Sequence, residues 1–357
     1  MFRNVEGKTI ILDAFADEAA KDRERIDLNG AFHCLETLGI RFWTPRFAYN
    51  PRSGRNDNLN TTRDTKWLKE VKKAAEGHGL SVISMGTPLL KCRVRESDAQ
   101  SAPYMIIEQV REQARTVIEN AHEMGAVALR GFSCYRQRES AANLHTASID
   151  PLAINYVNAV AHMCQEGRLL YVVEPETGLN GNSAAAMIQI QRSTGLENIV
   201  FLTDPANLHL QGLNAVSESQ ELLNSGRLVG MHAKFYGQKI AQGIVPSQES
   251  AAVHHVPISR DASRFSEFMQ QLANQLFGLN AQITVHRSRG YALPGFFITY
   301  EPHLAGAGQF GGISKPRGLG LAHEAMVLEL QKNSIGYTTI NFDEFRRIEG
   351  LPPLLRG

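Results

Sequence analysis

The chain has 357 residues, 43% of them apolar and 20% charged, with 37 Lys and Arg against 36 Asp and Glu. That balance excludes a disordered or collagen-like chain, and a net charge of +1 leaves no strong field to draw it onto nucleic acid or an anionic membrane. Cys34, Cys92, Cys134 and Cys164 form no CxxC pair, so no disulfide framework is expected.

Short β-branched or aromatic runs alternate with longer amphipathic stretches. A strand at 9–12 precedes a helix over 31–38, and a strand at 40–43 precedes a helix over 65–77. Strand 81–85 leads to helix 104–124, strand 126–130 to helix 151–167, and strand 169–173 to helix 183–193. Strand 199–202 is followed by helix 218–224, strand 228–232 by helix 263–277, and strand 296–300 by helix 321–332. Gly39, Gly79, Gly125, Gly195 and Gly226 close helices just ahead of the next strand, where a left-handed turn is needed. Insertions near 44–60, 237–262 and 278–295 exceed ordinary connectors.

Eight strand–helix units are the count of a single (β/α)8 TIM barrel, an α/β fold, read here as one domain over 1–357. A doubly wound sheet is the rival architecture. The start MFRNVEGK has no apolar run behind its charge and no stretch reaches membrane-spanning length, so a cytoplasmic protein is expected.

In a barrel the site forms at the carboxyl ends of the strands, so the residues that end them carry the chemistry. The fifth strand runs LLYVVEPETG and ends at Glu174. The sixth, IVFLTDPANL, ends near Asp204, the seventh, RLVGMHAKFYG, at His232, and the eighth, GFFITYEPHL, at Glu301. Three carboxylates brought together repel unless protonated or bound to a cation. Oxygen-rich ligation with one imidazole suits Mn²⁺, with Mg²⁺ and Co²⁺ as alternatives, better than a structural zinc. The competing explanation is that such acids only cap the next helix along the chain. It accounts for Asp204 or Glu301 singly, not for four strands in succession.

The segments VEPETGLNGNS, DPAN, HAK and YEPH, with the earlier ISMGTPLLK, together resemble the xylose isomerase-like barrels called sugar phosphate isomerases/epimerases. The resemblance implies that Glu174, Asp204, His232 and Glu301 bind a divalent metal, and that Glu174 and Glu301 handle the proton. Departures are Phe235, where many members have Asp, and Asn207, where some epimerases have His.

Such a site suits proton abstraction next to a carbonyl through a metal-stabilised enediolate, on a sugar or keto-sugar. A leaving group β to the carbonyl would make the enzyme a lyase. Lyases of this broad family include C-glycoside deglycosidases, whose large subunits act on 3-oxo-glucosides with a small second subunit. His145, in the loop after the fourth strand, is a candidate base or a bystander. Lys91, Arg130, Lys234, Glu176 and His303 are candidates for contacting substrate; the first is equally a solvated loop residue. Lys234, Glu176 and His303 each follow a ligand by two residues, and Arg130 ends the fourth strand.

Gly306, Gly308 and Gly311 spell GxGxxG, but only 46 residues come after it, too few for a dinucleotide domain. An abasic-site endonuclease would want more strand-end histidines and a basic face, and a non-catalytic barrel subunit has no use for the quartet. The expected partners are a sugar or glycoside, with a small second subunit or a further copy of the chain.

Overall fold

The computed structural model describes residues 9–20, 22, 24–96, 102–136, 148–234, 264–301, 315–339 and 347. The barrel opens with β1 (Thr9–Phe15) and β2 (Phe42–Thr44), followed by an antiparallel hairpin of β3 (Phe47–Asn50) and β4 (Arg55–Asn58). Then come β5 (Ser84–Gly86), β6 (Ala128–Gly131), β7 (Leu170–Val173), β8 (Ile199–Thr203), β9 (Leu228–Ala233) and β10 (Phe297–Tyr300). Parallel pairing runs from β5 through β10 to β1 and on to β2. The Phe42–Ser81 bridge closes the last seam, and the Trp43 amide donates to the Ser81 carbonyl at 3.0 Å. Closure removes the doubly wound alternative, whose sheet has two free edges. A late strand, β11 (Gly336–Thr338), pairs with Thr9, Ile10 and Ile11.

Every residue of β7, β8 and β9 is buried, because helices cover the outside and side chains fill the inside. This is why these strands read as mainly apolar runs, and why the polar residue at or just beyond each carboxyl end marks its exit into the mouth. The helices are α1 (Leu28–Thr37), α2 (Thr65–Gly77), α3 (Ile107–Met124), α4 (Pro151–Glu166), α5 (Ala184–Thr194), α6 (Pro205–Leu210), α7 (Ala215–Asn224), α8 (Phe265–Ser288) and α9 (Lys315–Lys332). Asp27, Asp64, Asp150, Ser183 and Asn214 each accept a first-turn amide and so fix where a helix starts. Gly125 and Gly195 end α3 and α5 at φ 75° and 68°, a conformation that costs a residue with a Cβ.

Three stretches differ from expectation. Residues 278–288 are not a loop: α8 continues through Gly278 because Leu279, Ile283 and His286 keep burying its inner face. That burial outweighs the roughly 1 kcal/mol penalty of a mid-helix glycine. The short α6 comes directly after Asp204, with Pro205 at its first position. The 44–60 insertion is the β3–β4 hairpin, and its base is tied down. The Asn60 side-chain amide donates to the carbonyls of Pro45 and Gly86 at 3.2 and 3.1 Å, and Asn120 donates to those of Leu59, Asn60 and Thr62. This anchoring holds Arg46 over the barrel mouth. All of 237–262 lies outside the described residues. All four cysteines are free thiols, and among the described residues no helix is long and apolar enough to cross a membrane.

Candidate metal centre

Glu174 sits one residue past the end of β7, Asp204 one past β8 and Glu301 one past β10, while His232 sits within β9. The four are buried, and one ligand atom from each lies within 4.8 Å of the others. His232 Nδ1 is 3.0 Å from Glu174 Oε1, 3.1 Å from Glu301 Oε2 and 3.7 Å from Asp204 Oδ2. For Asp204 the capping explanation and the site explanation both hold. Its Oδ1 accepts the Asn207 amide at 2.8 Å and starts α6, while Oδ2 lies 2.9 Å from Lys234 Nζ.

Three cations surround the carboxylates. Arg130 Nε lies 3.2 Å from Glu174 Oε2. Lys234 Nζ lies 3.0 Å from Glu301 Oε2 as well as beside Asp204. Arg46 donates to Glu301 Oε1 at 2.9 Å and to Glu18 at 2.6 Å, and lies 2.8 Å from Asp17. Among the described residues, the five carboxylates of Asp17, Glu18, Glu174, Asp204 and Glu301 thus meet three cations. With His232 neutral these groups carry a net negative charge, to which the buried Asp13 carboxylate adds near neutral pH, and a divalent ion would offset part of it. The donor set and its charge therefore fit a divalent metal held by Glu174, Asp204, His232 and Glu301.

Burial alone would push the Glu174 carboxyl up, but His232, Arg130 and Lys234 outweigh it and hold the group at about 2. Burial likewise opposes charge on His232, yet Glu174 and Glu301 raise that imidazole well above its ordinary value. A cation must displace that proton, since only neutral imidazole ligates a metal. Metal affinity is accordingly expected to weaken as pH falls, starting above the ordinary imidazole range, as calorimetric titration at a series of pH values would measure.

Lys91 and Glu176 meet each other: Lys91 Nζ donates to Glu176 Oε2 at 2.9 Å and lies 4.7 Å from the centre of the Phe132 ring. Glu176 is therefore a partner of Lys91. Both line a cleft of ≈390 Å³ together with Arg46, Arg130, Lys234 and the two glutamates of the quartet. His145 and His303 lie outside the described residues, as do Phe235 and the GxGxxG glycines. Asn207 sits inside the centre, with Nδ2 3.4 Å from Glu174 Oε1 and Oδ1 3.5 Å from Lys234 Nζ.

Sequence reading missed Arg46, Asp17, Glu18 and Asp13. Asp13 of β1 pairs in register with Thr299, and Thr299 with His232, so the three share one layer of the barrel. Its Oδ2 accepts the hydroxyls of Thr44 and Thr299 at 2.5 and 2.6 Å. Burial lifts its carboxyl from 3.8 to about 6 against those bonds. A carboxyl raised by folding favours the folded state fully below its unfolded value and loses that contribution as pH rises through 6. The loss is about 3 kcal/mol by neutral pH. Asp13→Asn should therefore melt higher than wild type near neutral pH, with the gap closing near pH 4; a gap independent of pH would contradict this.

A closed eight-stranded parallel barrel, with a carboxylate–imidazole cluster able to hold a metal at the strands' carboxyl ends, defines the class of protein. Residues 32–279 match the family described as xylose isomerase-like TIM barrel, and the chain belongs to that family. Comparison with curated protein sequences finds no match. Among solved structures, the chain is similar to a D-psicose 3-epimerase with D-tagatose from Clostridium cellulolyticum H10. That likeness has TM-score 0.58 at 11% identity and covers 90% of this chain and 99% of the epimerase. It is also similar to an IOLI protein with a binding zinc atom, at TM-score 0.60 and 10% identity over 91% and 99% of the two chains. The probable 3-DHS dehydratase AsbF of Bacillus anthracis aligns at TM-score 0.57 and 12% identity over 90% and 98%.

Proposed function

We propose that the chain is a divalent-metal-dependent enzyme that moves a proton next to the carbonyl of a sugar or keto-sugar, in the manner of an isomerase or epimerase. The observation that carries this reading is the convergence of Glu174, Asp204, His232 and Glu301 beside a cleft of ≈390 Å³ that the two glutamates line. Mn²⁺ is the ion best matched to three carboxylates and one imidazole. When bound, it would polarise the substrate carbonyl and offset the charge that develops on deprotonation.

The rest is done by side chains. Glu174 and Glu301 are the groups that take and return the proton. Arg130 fixes Oε2 of Glu174 and Arg46 fixes Oε1 of Glu301, so each carboxylate keeps its other oxygen toward His232. Lys234 holds Asp204 and Glu301 in the same arrangement. The Lys91–Glu176 pair offers a cation and an anion to substrate hydroxyls, and the Phe132 ring offers an apolar face to sugar C–H groups. His303 belongs to this reading as a further substrate contact, and His145 as an acid–base group.

The second reading is a lyase, in which the same deprotonation expels a β-leaving group, as in C-glycoside deglycosidation with a small second subunit. It is supported by the apolar side chains Phe47, Phe132 and Leu210 lining the cleft, which suit an aromatic aglycone. The likeness to the probable 3-DHS dehydratase AsbF is in keeping with it.

Incubation with ketoses and with a 3-oxo-C-glucoside in deuterated water, followed by NMR and mass spectrometry, tests both. Deuterium at the carbon beside the carbonyl with a new epimer or isomer supports the first reading, and release of the phenol supports the second. Activity is expected to vanish on chelation and return with Mn²⁺. A metal-loaded protein that neither exchanges deuterium nor releases phenol speaks against both.

A further inference from the structure

We propose that the carboxyl ends of α1 and α2 carry a second metal site, formed by His33, Glu36 and His78 and suited to a zinc-class ion. A ligand atom from each of the three lies within 4.8 Å of the others. His33 and Glu36 stand three residues apart on α1 and so share a face. His78 caps the end of α2, and its Nδ1 is 2.8 Å from Glu36 Oε2. Its ring packs 6.2 Å from that of Phe32, which holds the imidazole at the seam between the helices. His33 Nδ1 is 3.9 Å from the same Glu36 oxygen. Two helix ends meet here, and the negative end of each helix dipole favours a cation.

The donor chemistry differs from that of the barrel mouth. Two imidazoles and one carboxylate form a borderline set that prefers Zn²⁺, Co²⁺, Ni²⁺ or Cu²⁺ over Mg²⁺ or Mn²⁺, with a fourth position for water. The location differs too. α1 ends just before Gly39 and β2, and α2 just before Gly79 and the Ser81 bridge, so this cluster lies at the amino ends of the strands. The quartet lies at the opposite ends. An ion here would clamp α1 to α2 without touching substrate.

The test is zinc stoichiometry of untagged full-length protein by equilibrium dialysis, comparing wild type with His33→Ala. The His33 side chain is 75% exposed, so its loss should leave the fold intact. Wild type is expected to retain one zinc equivalent more than the variant. Co²⁺ loading should give a four-coordinate absorption band that the variant lacks. His78→Asn, a second variant, should lose the same equivalent. Equal zinc counts in wild type and His33→Ala overturn the proposal and leave an ordinary His78–Glu36 ion pair. Failure of the quartet to bind would instead lower both counts together and leave the difference between them.

Discussion

Arg46→Gln is expected to destabilise the protein by about 3–5 kcal/mol, the cost of stranding buried charge when one partner of an ion pair is removed. Arg46 is the shared partner of Asp17, Glu18 and Glu301, and its guanidinium lies 4.3 Å from the centre of the Phe15 ring. Glu18 and Glu301 are buried, so water cannot take over the role. Burial already raises the Glu18 carboxyl, with Arg46 as the main opposing influence. Phe15 packs edge-on against His232 at 5.4 Å, so loosening Arg46 also loosens the imidazole. Arg46→Lys keeps the charge but not the fork that reaches three carboxylates, and it should fall between wild type and the Gln variant. Urea denaturation measures all three; a Gln variant within about 1 kcal/mol of wild type would contradict the assignment.

Glu174→Gln should leave the fold standing and lower turnover by about 10²–10⁴-fold on whatever substrate the deuterium screen identifies. The amide has nearly the shape of the carboxylate but can neither accept a proton from carbon nor bring charge to an ion. Divalent-ion affinity should fall about 100-fold or more, because even groups that merely orient ligands are worth 10–100-fold. His232 would lose the partner that contributes most to raising it, so its protonated form should become less stable. Turnover within about threefold of wild type would remove Glu174 from the proton-transfer role.

The barrel and its quartet were legible because burial on both faces makes β7, β8 and β9 mainly apolar runs that turn polar only at or near their carboxyl ends. A residue just past such a run is polar only if the mouth requires it, so Glu174, Asp204 and Glu301 stand out one position beyond their strands. The hairpin was illegible because β4 reads RNDN, a sequence with little strand propensity that is held by its anchored base. Arg46 was illegible for a different reason. Its contact with Glu301 spans 255 residues, and nothing local marks the base of that hairpin as part of the centre. Glu176 reaches the cleft from the loop after β7, where it meets Lys91, a pairing that the spacing to Glu174 did not indicate. Gly278 looked like a helix stop, but the apolar positions beyond it continue the buried stripe.

Titration of Mn²⁺ by electron paramagnetic resonance, on wild type and on Asp204→Asn, addresses the centre most directly. The donor set and geometry predict one Mn²⁺ taken from solution per wild-type chain and little or none by the variant. Free Mn²⁺ throughout the wild-type titration, or equal uptake by Asp204→Asn, would contradict a divalent ion held by Glu174, Asp204, His232 and Glu301.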